Sequence, residues 1–139
     1  MKKIFFILSL LMLNSLFAAE LTIDVKNLRN NNGSIRIAIW DQARGFPKDY
    51  TTAIDQVSIA ANETTYTFKN LKAANYALAI FHDANNDENL NTNRIGIPSE
   101  GFGFSNNPRI LFGPPNYRKC NFKLNANQKL TKTIYLKHF

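Results

Sequence analysis

Leu21, Ile23 and Val25 alternate with Thr22, Asp24 and Lys26, and the same two-residue period returns in short bursts to the end of the chain. This period puts every second side chain on one face, so the chain must fold by stacking sheets and not by packing helices. Ile35, Ile37 and Ile39 repeat it after Asn32-Gly33, a dipeptide that accepts the positive φ angles of a tight turn, so a β-hairpin is expected there. Val57 and Ile59 mark a third strand and Tyr66 and Phe68 a fourth, with a turn at Ala61-Asn62-Glu63. Residues 76–81 (Y-A-L-A-I-F) are apolar on both faces, as in a central strand covered on each side. Phe122 and Leu124 form the sixth strand, with Cys120 at its start, and Leu130 to Leu136 the seventh. Seven strands with turn signals at short spacing predict an all-β fold, an antiparallel, immunoglobulin-like β-sandwich.

The first residues obey different rules. Lys2 and Lys3 precede an apolar run from Ile4 to Phe17, and small residues follow at Ala18-Ala19. That is the layout of a secretory signal over residues 1–18, leaving a single domain over 19–139. The run is shorter than the roughly 20 residues that span a bilayer. The mature chain is therefore expected to be exported, periplasmic or secreted, and not membrane-spanning after cleavage. The signal holds two of the 17 basic residues and no acid, so 15 basic and 10 acidic side chains remain, a net +5. The basic residues are scattered, which argues for a mildly cationic surface and against nucleic acid. Cys120 is the only cysteine, so no internal disulfide forms, and a buried, inert thiol is expected.

Between Phe81 and Cys120 the strand pattern lapses for far longer than a connecting loop needs. The gap holds Ile95, Ile97, Phe102, Phe104, Ile110, Leu111 and Phe112, which predicts one long ordered loop folded back on the sandwich with glycine hinges. Its first half places Asp83, Asn85, Asp87, Asn89 and Asn91 at every second position. Numbered from Asp83, these match the oxygen ligands at places one, three, five, seven and nine of a twelve-residue calcium loop. Place six is Glu88 instead of glycine, and place twelve is Arg94 instead of a bidentate glutamate. Two readings follow: a weak calcium site, or a cluster of side-chain-to-backbone turns that needs no metal. Glu88 or Glu100 could complete the first. With two histidines, one cysteine and no methionine after the signal, a zinc or copper site is not expected.

The runs N-L-K-A-A-N-Y-A-L-A-I-F-H-D, N-x-D-x-N-L-N-T-N and G-I-P-S-E-G-F-G-F-S-N-N, from Asn70 to Asn107, resemble a bacterial secreted family known as domain of unknown function 2141. The resemblance implies an exported, transthyretin-like or prealbumin-like β-sandwich in a Gram-negative envelope and no established activity. Where such domains carry Pro-Gly, this chain has Ala73-Ala74-Asn75, so Asn75 is expected to supply the permissive backbone.

The expected role is a binding or structural module. Phe102, Phe104, Phe112 and Tyr117 either plug an open end of the sandwich or form a surface for stacking. The stretch from Arg94 to Tyr117 would then meet an envelope protein or a glycan. An envelope hydrolase would need His82 and Glu100, with Ser99 or Ser105, to converge; no nucleophile motif accompanies them, so no catalytic residue is assigned.

Overall fold

The computed structural model describes residues 19–139, so the expected signal segment lies outside the described residues. Eight strands form two sheets: β1 (Ala19–Lys26), β2 (Ser34–Trp40), β3 (Asp55–Ala60), β4 (Thr65–Leu71), β5 (Ala74–Asp83), β6 (Phe102–Phe104), β7 (Phe122–Leu124) and β8 (Lys129–Tyr135). The smaller sheet has the order β4-β1-β8, the larger the order β3-β2-β5-β6, and β7 pairs with the first residues of β5. Among the described residues, no helix is long and apolar enough to cross a membrane.

The period-2 faces meet between the sheets. Leu21, Ile23 and Val25 of β1 pack with Ile35, Ile37 and Ile39 of β2, Leu78 and Ile80 of β5, and Leu124 and Ile134. Each of these is at most a few per cent exposed. Burying such a side chain contributes about 1.5–3 kcal/mol, so this shared layer dominates the stability of the fold.

Three pairings differ from the expectation. The Asn32-Gly33 turn does not close a hairpin, because β1 and β2 lie in opposite sheets. Their apolar faces can bury each other only face to face across the core, and the connection from Asn27 to Gly33 is long enough to make that crossing. The sheets are also not wholly antiparallel, since β1 runs parallel to β8, Glu20 opposite Lys129 through Lys26 opposite Tyr135. No turn joins those two strands, so nothing local sets their direction. The eighth strand, β6, is a Phe-Gly-Phe alternation that antiparallel pairing with β5 extracts from the expected loop. Phe102 and Phe104 turn outward, while Gly103 sits where a Cβ would come within 2.8 Å of Ile134 Cγ2 on β8.

Smaller departures have local causes. Cys120 does not begin a strand; it ends the single-turn helix α1 (Tyr117–Cys120), capped by the Asn116 side chain. The permissive residue before β5 is Asn70, at φ 56, and not Asn75. The β2–β3 connection contains a 3-10 turn over Tyr50–Thr52, capped by Asp49.

β5 is buried from Tyr76 to Asp83 on both faces. Its outer face joins Ala77, Ala79 and Phe81 to Ala38, Trp40, Phe102, Phe104 and Cys120. Phe46 packs edge-on against Trp40, Phe104 and Tyr117, with centroids 5.2–6.2 Å apart. The Trp40 Nε1–H donates to Thr52 Oγ1 at 3.0 Å, which fastens the β2–β3 connection over this face.

Gly33 ties the fold to the start of the long loop. It holds φ +69, and a Cβ there would strike the Asp83 carbonyl oxygen and come within 2.7 Å of the Ala84 carbonyl carbon. Gly33→Ala should therefore lower unfolding stability by more than about 2 kcal/mol, read as a fall in the urea midpoint.

Candidate functional site

β5 delivers its last two side chains to opposite faces. His82 follows Leu78 and Ile80 towards the smaller sheet, where its Nε2 donates to the Asn32 carbonyl at 2.7 Å. Asp83 follows Ala79 and Phe81 to the outer face and is fully buried. A buried carboxylate needs a counter-charge and hydrogen bonds. Arg36 Nε donates to Asp83 Oδ2 at 2.7 Å, and the amides of Glu88 and Asp87 donate to Oδ2 and Oδ1 at 3.0 and 3.1 Å. The bond to Asp83 is also what most raises the Arg36 pKa above its ordinary value. Glu88 adds a longer contact, 3.4 Å from Arg36 Nη2.

Beyond Asp83 the oxygen comb folds on itself around Asp87. Its carboxylate accepts from Asn91 Nδ2 at 2.7 Å, from the Asn89 amide at 2.9 Å and from Asn85 Nδ2 at 3.2 Å. Asn91 first, and then Asn89, hold the Asp87 carboxyl below its ordinary pKa. Asn86 and Glu88 take positive φ values of 55 and 69, the backbone conformation that lets the chain wind this tightly. Glu100 closes the base of the loop, with Oε1 accepting from the Ala84 amide at 3.1 Å and Oε2 from the Asn91 amide at 3.0 Å.

The five candidate ligands are thus brought close, in two roles. Asn85, Asn89 and Asn91 surround Asp87, while Asp83 turns away to Arg36. Among the described residues, no three His, Cys, Asp or Glu side chains gather as a metal-holding group. Arg36 was not identified from the sequence as part of this site. It lies 47 residues from Asp83 and resembles any other scattered cation until β2 and β5 pair.

The residues weighed for hydrolysis serve backbone groups. Glu100 holds two amides, Ser99 Oγ donates to the Asn91 carbonyl at 3.1 Å, and Ser105 Oγ donates to the Cys120 carbonyl at 2.6 Å while accepting from the Leu78 amide at 2.9 Å. His82 is held by Asn32 as described.

The rest of the long loop roofs the outer face of β5 and β6 and leaves a cleft of about 570 Å³. Ala79, Phe81, Phe102 and Phe104 form its floor, and Leu90, Ile97, Ile110 and Leu111 its sides. The aromatics divide accordingly: Phe102 and Phe104 are buried as a plug, and Phe112 is 99% exposed. Ile95 and Leu111, expected to pack inward, are 80% and 63% exposed. Gly96 and Gly113, at φ 82 and 78, lie in the cleft lining on the two arms of the loop.

Two measurements test this arrangement. Arg36→Leu strands a buried carboxylate; because the Arg36 side chain is 25% exposed, the expected loss is about 2–3 kcal/mol, below that of a fully enclosed pair. Urea unfolding should show that loss, and adding Asp83→Asn should restore part of it. Separately, burial pushes the Cys120 thiol up to about 12. Native protein at pH 8 should resist a thiol reagent and react in denaturant.

Comparison of the sequence with known protein families finds one match. The family described as "Uncharacterized protein conserved in bacteria (DUF2141)" matches residues 23–132, from within β1 to within β8. Neither the curated proteins nor the solved structures yield a match. With the long loop, nearly all of the cleft lining and nearly all of both sheets inside the matched span, the chain belongs to that bacterial family of uncharacterized proteins.

Proposed function

We propose that the protein is an exported, prealbumin-like binding module whose working part is the cleft under the long loop. The observation that carries this reading is the cleft itself. Its volume falls within the roughly 300–1,000 Å³ of small-molecule sites, and its wall is mainly apolar with few polar groups. Exposed Leu111 and Ile97 along its sides are poorly explained by folding alone and well explained by a ligand that covers them. The two lysines and the apolar run over residues 2–17 support export. A small apolar ligand fits this lining better than a glycan, which would need a polar partner for each hydroxyl it buries.

The Asp83 loop acts as the frame of the cleft. Arg36 supplies the positive charge that calcium would bring, and Asn91, Asn89 and Asn85 satisfy Asp87. In this reading the loop is ordered without metal, and calcium could engage Asp83 only by displacing Arg36.

One thermal-unfolding series separates the alternatives. Millimolar calcium, with EDTA and magnesium as controls, should move Tm by less than a degree. A ligand at 100 times its dissociation constant adds about 2.7 kcal/mol, worth several degrees in a domain of this size. An apolar fluorescent probe should bind the native protein saturably, and Leu111→Ser or Ala79→Leu should weaken it by impoverishing or filling the cleft. A calcium-specific rise in Tm lost in Asp83→Ala would instead establish the metal-ordered loop.

A further inference from the structure

We infer that the ligand of this cleft is an amphiphilic organic anion, an apolar body with one negatively charged head, and that Lys48 receives the head. The inference rests on the cleft reading above and adds the charge of the ligand. Of the side chains lining the cleft, Lys48 alone is charged, and none is an acid. Lys48 is exposed on the β2–β3 connection, between Pro47 and Tyr50, which also line the cleft. Among the described residues, no hydrogen bond or ion pair occupies its ammonium. Its neighbour Asp49 is already engaged, accepting from the amide and hydroxyl of Thr51.

The cleft therefore presents a greasy floor and a single free cation at its border. A neutral apolar ligand would leave that cation unused, and a cationic one would be repelled by it. A uniformly polar anion would leave the exposed side chains of Leu111 and Ile97 on the cleft walls without an apolar partner. Only a molecule with both characters satisfies both surfaces. The net +5 of the mature chain favours approach of an anion from solution.

The test compares decanoate, decyltrimethylammonium and decyl glucoside, each below its micelle concentration, by calorimetry. Trp40, the sole tryptophan, gives an independent fluorescence signal, because its ring lies 5.6 Å from that of Tyr50 in the cleft lining. Decanoate should bind one to one and more tightly than the other two. Lys48→Gln should weaken decanoate about two- to fivefold, the range for a solvent-exposed charge contact. Lys48→Glu should reverse the preference towards decyltrimethylammonium. Lys48 is exposed, so Tm of both variants should stay at the wild-type value and folding cannot confound the result. Equal binding of all three amphiphiles, unaffected by Lys48, would overturn the anion assignment and leave the apolar cleft standing. No saturable binding of any of them to folded protein would overturn both. Binding to anionic lipid vesicles without binding to free decanoate would overturn the proposal in favour of a membrane surface.

Discussion

A strand that is apolar on both faces must be covered twice, and β5 imposes that requirement on everything around it. One cover is the smaller sheet, which meets Leu78 and Ile80 through β1 and β8. The other comes from chain outside the regular strands, because among the described residues there is no third sheet for the larger one to lie against. The β2–β3 connection and the long loop supply it, with Phe46, Tyr50, Leu90 and Ile110 packed on Ala77, Ala79 and Phe81. The cleft is where this irregular cover does not close completely. A roof made of loop leaves gaps that a sheet would not, and such gaps suit small ligands.

The cover is held at its root by the Arg36–Asp83 pair. Asp83 emerges on the same face as Ala79 and Phe81, where an ionised group would be costly without compensation. Arg36 and two amides provide it, and those amides belong to Asp87 and Glu88 in the winding loop. One carboxylate thus joins the sheet to the loop. Asp87 repeats the device one turn further out with amide donors instead of a cation.

Much of the strand layout was legible because alternation is a local property. Leu21, Ile23 and Val25 announce a buried face whichever strand lies beside them. The same locality explains the failures. Asn32-Gly33 has the backbone freedom of a hairpin, but whether the chain folds back in its own sheet or crosses to the other depends on which surface Ile35, Ile37 and Ile39 bury. Phe102-Gly103-Phe104 carries the strand period for only three residues, too few to stand out from a glycine-rich run. The comb from Asp83 to Asn91 was legible as oxygen-rich, but its chemistry depended on whether a cation already stood beside it.

By itself the sequence determined seven of the eight strands, which of their faces are apolar, and that the stretch between Phe81 and Cys120 must be ordered and not merely connecting. These follow from side-chain alternation and from the cost of leaving so many apolar groups in water. Only the tertiary structure decided that β1 runs beside β8 in parallel, that Arg36 neutralises Asp83, and that Lys48 borders an apolar cleft. Backbone hydrogen bonds are the same for every strand, so they do not specify a partner. Partners are chosen by the packing of the whole core, which brings together charges and apolar surfaces that lie dozens of residues apart.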